Sequence, residues 1–374
     1  MRIAFVVIVV LHGLIHLLGF VKAFGLAEVP QLTGATTVAL GPGWVRPIGA
    51  LWLAAAALIV GAAVMLALGL DGWWRIGAIG LVLSQALIVY AWRDARAGTI
   101  ANVILALGVT LGWGQARFDR ATDAAIARLF AGVSATPGPT VTAAEVATLP
   151  TPVARWLTRA GVIGRPAARA VRVEQRGRMR SGVGKPFAPV VAEQYYAIDE
   201  PGFVWAVRLS LKGVPIAGRD AYLGGHGRML IAAGGLVPVV DATGPQIDQG
   251  TLLRFLGEMV WFPSAALAPY LRWQAIDDTT AEVTMTWQGV SASGRFTIDG
   301  EGRVTGFAAK RYFGSGERAR LEDWWVPMTA WARFDGVEVP VRGSVIWKLA
   351  AGDFDYYQWE MRALEYDRPA RYER

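Results

Sequence analysis

The sequence contains no cysteine and only three histidines in 374 residues. The missing cysteine excludes disulfides, thiolate nucleophiles and cysteine-ligated metals, and is compatible with either side of a bacterial membrane. There is no block of lysine or arginine. The formal net charge is +7, from 37 basic and 30 acidic residues, but six basic and three acidic residues precede Gln115, leaving 31 and 27 in the remainder. That near balance argues against nucleic acid as a partner. Arg172, Arg176, Arg178 and Arg180 fall at alternate positions and read as one solvated strand face.

Catalytic signatures are lacking too. Gly41-Pro42-Gly43 and Gly224-Gly225-His226-Gly227 carry neither a P-loop lysine nor dinucleotide-binding spacing. There is no Gly-x-Ser-x-Gly elbow. A Ser-His-Asp site would need His226 with Asp220 or Asp241, and the glycines around His226 make it a turn residue instead. Glu193, Asp220, Asp241, Asp248 and Glu258 offer carboxylates with no local pairing for acid–base work. The expectation is a protein with no catalytic residue, no cofactor and no metal site.

What is present begins with four apolar runs of spanning length: Ile3–Val21, Pro47–Leu68, Trp73–Trp92 and Thr99–Trp113. Trp44, Trp52, Trp73, Trp74, Trp92 and Trp113 lie mostly near their ends, as an aromatic belt requires. No cleavable signal pattern precedes the first run's end. His12 and His16 stand four apart and share a helix face. Ligation of haem or metal would need further ligands, and the other runs contain no histidine. Hydrogen bonding to Ser84, Gln85 or Asn102 is the simpler expectation. The Arg93-Asp94-Ala95-Arg96 loop pulls toward the cytoplasm, which would leave the C-terminal domain outside it.

The spacing predicts a four-helix transmembrane domain over 1–115, an amphipathic helix and linker over 116–148, and a β-rich domain over 149–374. Phe118, Ile126, Leu129 and Phe130 mark the amphipathic helix, Ser134–Thr142 the linker, and Leu149–Val162 a short helix with Pro152 in its first turn and Gly161 at its end. From Ala170 the apolar period changes to two. Twelve further strands are expected up to Glu365, with Glu200-Pro201-Gly202, Asp299-Gly300-Glu301-Gly302 and Asp335-Gly336 as turns. No helix-length run recurs between strands, so parallel βαβ units are not expected. The fold class is an α-helical transmembrane bundle of four spans followed by an α+β domain. In that domain a large curved antiparallel sheet or open β-barrel carries a helix across one face.

That helix is Asp248–Pro269. Leu252, Phe255, Met259 and Phe262 recur at helical steps, Asp248 is positioned to cap the start, and Pro263 to stop it. Arg254 and Glu258 are four apart on one face. They form either a surface pair worth about 0.3–0.5 kcal/mol or a polar anchor at the mouth of a cavity. Aromatic residues are dense at strand positions: Trp205, Trp261, Trp273, Trp287, Tyr312, Trp324, Trp325, Trp331, Trp347 and Trp359. They read either as a thick core or as the wall of an apolar cavity with the helix as its lid.

His12-Gly13-Leu14-Ile15-His16-Leu17-Leu18-Gly19-Phe20, the Arg93–Gly98 loop, Glu193-Gln194, Pro201-Gly202-Phe203-Val204-Trp205 and Asp248–Pro263 together resemble an uncharacterised bacterial membrane-protein family of unknown function. More distantly, the strands–helix–strands order resembles the half-barrel of Lol-type lipoprotein carriers and localisation factors. The chain departs from those carriers in having four spans and no lipid-anchoring cysteine. The resemblance implies a membrane-tethered binding module for a lipid, acyl chain or other apolar ligand, in the bacterial cytoplasmic (inner) membrane. The expected ligand-binding residues are Arg254 and Glu258 at the rim, with Trp261, Trp273, Trp287 and Tyr312. The expected partners are the lipid bilayer, a lipid or lipoprotein acyl chain, and a protein partner. The alternatives are a scaffold or assembly factor using the β domain as a protein surface, and an enzyme on a membrane-associated substrate using Glu258, Asp220 or His226.

Overall fold

Two periodicities in the chain become two separately packed units in the computed structural model, which describes residues 2–211, 213–314 and 316–373. The units are Met1–Arg117 and Phe118–Arg374. In the first, α1 (Arg2–Ile15) and α2 (Leu17–Phe24) are separated only at His16, and α3 (Val45–Leu68), α4 (Trp73–Tyr90), the short α5 (Trp92–Ala95) and α6 (Gly98–Phe130) follow, α6 running past Arg117 into the second unit. Arg2–Phe24, Pro42–Leu68, Trp73–Tyr90 and Gly98–Phe130 are each long and apolar enough to cross a membrane. Small residues let these helices approach: a Cβ at Gly13 would meet Val60, one at Gly80 would meet Ile59, and one at Gly77 would meet Val109.

A group of polar side chains in this bundle satisfies one another. His12 Nε2 and Asn102 Oδ1 are 2.8 Å apart, His16 Nε2 and Ser84 Oγ 2.7 Å, and Asn102 Nδ2 donates to Gln85 Oε1 at 3.0 Å. The two histidines are thus joined to neighbouring spans by hydrogen bonds.

In the second unit, Thr142 and Glu145 form a reciprocal capping box ahead of α7 (Ala143–Ala147), and α8 (Thr151–Ala160) ends on left-handed Gly161. Thirteen strands follow: β1 (Ala170–Met179), β2 (Ala188–Ala197), β3 (Gly202–Leu211), β4 (Val214–Leu223), β5 (His226–Ala233), β6 (Val237–Ala242), β7 (Leu271–Ala275), β8 (Thr280–Trp287), β9 (Val290–Ile298), β10 (Val304–Phe313), β11 (Arg320–Phe334), β12 (Val337–Leu349) and β13 (Gly352–Tyr366). All neighbours are antiparallel, in the order β6-β5-β4-β3-β2-β1-β13-β12-β11-β10-β9-β8-β7. Two meanders are therefore stitched together by β1 and β13. Register shifts at Glu174/Gln175, Met328/Ala330 and Val345/Ile346 mark bulges, which bend strands and increase their twist. The result is a curled half-barrel. Asp335 (φ 46°) and Gly336 (φ 79°) close the β11–β12 hairpin in the left-handed conformation that a two-residue primed turn requires.

One helix, α9 (Pro245–Glu258), joins the two edge strands and packs inside the curl against β4, β5, β9 and β10. Gly257 admits it to the sheet, since a Cβ there would stand 2.7 Å from the Phe307 ring. Two expectations about this segment are corrected. The helix starts at Pro245 with no side-chain cap, and Asp248 instead accepts the Gly227 N–H at 2.6 Å. It also ends at Glu258 rather than at Pro263. Phe262, the residue before the proline, is held at φ −138° and ψ 67°, so the chain passes through two 3₁₀ turns, Met259–Trp261 and Pro263–Leu267.

The main core fills the space between the concave face, α8 and α9, with Tyr196, Phe203, Tyr222, Phe255, Phe262, Phe296 and Phe307 fully buried. A smaller core lies on the convex face, where Ile126, Leu129 and Phe130 of α6 pack on Tyr195, Ala197, Val204 and Ala221. Arg176 and Arg178 are exposed as the alternation implies, but Arg172 is not: it stacks 4.3 Å from the Tyr372 ring and pairs with Glu365.

Candidate functional site

The concave face and α9 do not meet everywhere. Between them lies a cavity of about 440 Å³, walled mainly by Met179, Val207, Leu209, Ile231, Val240, Val326, Val345, Trp347, Phe354 and Trp359. That volume falls within the roughly 300–1,000 Å³ of typical small-molecule sites. Leu209, Ser181 and Phe313 mark the end of the cavity nearest the β1–β2, β3–β4 and β10–β11 hairpin turns. Val183, Leu211 and Val214, on two of those turns, are exposed.

A polar network is built into the wall. Cross-strand register puts Gln194 opposite Trp205 and Trp205 opposite Asp220, so three strands present these residues in one row. Arg254 comes down on that row from α9. It donates to Asp220 Oδ2 at 2.8 Å, to Glu258 Oε1 at 2.7 Å and to Gln194 Oε1 at 3.2 Å. Gln194 Nε2 and the Tyr196 hydroxyl donate to Glu258 Oε2 at 2.6 and 2.8 Å. The guanidinium also lies 4.7 Å from the Trp205 ring centre. Side-chain exposure is 12% for Arg254, 6% for Asp220 and 16% for Glu258. Burial pushes the Glu258 pKa above the ordinary carboxylate value, against the pull of Arg254, Tyr196 and Gln194. Burial disfavours the Arg254 cation, but Glu258 and Asp220 outweigh it and its pKa is raised. Among the described residues, Asp220 Oδ1 and the Trp205 and Trp324 indole nitrogens are buried without a hydrogen-bond partner.

The residues expected from the sequence fall into three groups. Arg254, Glu258, Trp261 and Tyr312 do line the cavity. Arg254 and Glu258 sit in its buried wall rather than at an exposed rim, because Asp220, Gln194 and Tyr196 draw them onto the sheet. Trp273 and Trp287 are not among the lining residues. Trp273 donates to Ala266 O at 2.9 Å and packs on Trp156 and Phe296, while Trp287 packs on Tyr270. His226 is 84% exposed, 3.6 Å from Asp248, and Asp241 is engaged by Arg228. Among the described residues no cluster of three or more His, Cys, Asp or Glu side chains is placed to hold a metal ion.

Arg311 is a charged lining residue that the sequence reading missed. Arg311 is buried, at 9% exposure, over the Trp324 and Trp347 rings at 4.8 and 5.7 Å. The signal was available: Arg311 shares the strand phase of Phe307 and Phe313, so the period of two points it inward. Arg180, beyond the end of β1, also lines the cavity, where the alternating pattern had suggested solvent.

A curled antiparallel half-barrel with a helix and a cavity in its concave face defines the class of the second unit. The chain belongs to a family of unknown function, DUF6544, whose model matches residues 139–359. No curated protein matches it. Among solved structures, a LolA superfamily protein from Nitrosomonas europaea is similar at 13% identity and a TM-score of 0.34, over 60% of this chain and 93% of that one. A DUF1329 family protein from Desulfovibrio piger is similar at 9% identity and a TM-score of 0.34, over 62% and 94%. A putative outer membrane lipoprotein-sorting protein domain from Vibrio parahaemolyticus follows at 5% identity and a TM-score of 0.28, over 53% and 86%.

Proposed function

We propose that the second unit is a membrane-tethered binding module that holds a lipid, an acyl chain or a similar apolar ligand between the sheet and α9. The observation that carries this is the cavity itself: about 440 Å³ of mostly apolar wall inside an otherwise packed concave face. Burial contributes about 0.8 kcal/mol per methylene, so ten buried methylenes supply roughly 8 kcal/mol. The four apolar helices on the same chain provide the tether. This reading puts them in the bacterial cytoplasmic membrane and the β unit on its outer side, an assignment supported by the Arg93-Asp94-Ala95-Arg96 loop.

The scaffold alternative has one observation in its favour. Val237 and Val239 on edge strand β6 are about two-thirds exposed, at 64% and 65%. Pro238 between them removes a donor and blunts that edge against strand pairing, which favours the cavity reading.

The test is photoaffinity mapping on the full chain in nanodiscs, with an alkyl probe carrying a diazirine near its tail. The proposal expects labelled peptides from Val207, Ile231 or Val345. Labelling confined to residues 2–117 would contradict it.

A further inference from the structure

Arg311 is the charged group in the cavity that the network around Arg254 leaves over. Its guanidinium has no hydrogen-bond or carboxylate partner among the described residues, although the side chain is nine-tenths buried. Its cross-strand neighbour Glu322 is held by Arg320 at 2.6 Å. Asp220 and Glu258 are both committed to Arg254. Of the four arginines along the cavity wall, Arg219 is turned to Thr122 and Phe118 of α6 and Arg180 donates to Asp355 O, which leaves Arg254, paired with those two carboxylates, and Arg311.

The fold makes room for Arg311 and orients it. Gly250, one turn before Arg254 on the same face of α9, leaves the guanidinium space: a Cβ there would stand 3.3 Å from Arg311 Nε. The guanidinium lies over Trp324 and Trp347, and its N–H donors, without an acceptor among the described residues, suit a planar or tetrahedral anion.

We infer that the cavity receives a single-chain amphiphile with an anionic head, and that Arg311 binds that head. The inference rests on the reading of the cavity as an apolar-chain site. At roughly 30 Å³ per methylene, near the share of one water molecule, about 440 Å³ matches one chain of some fifteen carbons. The anion follows from charge, since a neutral head would leave Arg311 buried without a counter-ion. Carboxylate and phosphate heads share this chemistry.

The test uses the full chain in nanodiscs and three probes with the same sixteen-carbon diazirine chain: a fatty acid, a lysophosphatidate and a fatty alcohol. Labelling of residues 179–359 is quantified by peptide mapping. An anionic probe should label at least about tenfold more than the alcohol, and the stronger of the two anionic probes identifies the head. Arg311→Gln should reduce anionic labelling to the alcohol level and leave the alcohol unchanged, while Arg311→Lys keeps most of the preference. Because no carboxylate loses a partner, the Tm of Arg311→Gln should be unchanged or higher. Equal labelling by alcohol and acid in the parent chain would overturn the inference while leaving the cavity reading intact. So would an Arg311→Gln chain with lowered Tm and undiminished anionic labelling. If no probe labels 179–359, the cavity reading fails and the inference with it.

Discussion

Arg254 and Arg311 are buried in the wall of one cavity, and their surroundings differ completely. Arg254 is shared by two carboxylates, an amide and an aromatic face. Among the described residues Arg311 has only aromatic faces. A buried cation with every partner in place fastens a helix to a sheet. A buried cation without an anion is costly unless something else supplies one. The comparison separates the groups that hold the half-barrel together from the group available to a ligand.

The comparison breaks most sharply at Arg254. Arg254→Ala leaves Asp220 and Glu258 buried without a cation and should cost about 3–5 kcal/mol, read by chemical denaturation of the β unit's tryptophan signal. Trp273→Ala removes packing outside the cavity. It should cost roughly 3 kcal/mol and leave alkyl-probe labelling of the folded chain unchanged, a result that separates core aromatics from cavity aromatics. Tyr196→Phe deletes one donor to a charged carboxylate and should cost about 1.5–3 kcal/mol.

The pH dependence follows from Glu258. Its folded-state pKa lies above its ordinary value of 4.5, so the folded chain binds more protons than the unfolded chain between those two values. Stability contributed by this group therefore falls as pH rises through that window. Glu258→Gln should flatten this segment of the stability–pH curve, and an unchanged slope would contradict the assignment. At the small end, His226→Ala should shift stability by no more than about 0.5 kcal/mol, because the ring is exposed.

The strands were legible because period-two runs and the Asp335-Gly336 turn are local properties of the chain. The curl was less legible. It depends on bulges such as Glu174/Gln175 and on the pairing of β1 with β13, which joins residues nearly two hundred positions apart. The ends of α9 were misplaced because an aspartate before an apolar run looks like a cap, whereas Asp248 is drawn to the Gly227 N–H of a strand. The site was legible in part. Arg254 and Glu258 could be paired by spacing, but their link to Asp220, Gln194 and Tyr196 is a matter of strand register. Trp273 and Trp287 share the composition signal of the cavity aromatics, and only packing tells them apart.

The most direct test of the central claim is native mass spectrometry of the full chain released from nanodiscs, comparing the parent with Ile231→Trp, which fills the cavity. The account predicts one retained adduct per parent chain with the mass of a single-chain amphiphile, absent from a folded Ile231→Trp chain. A bare parent chain, or the same adduct on both, would contradict it.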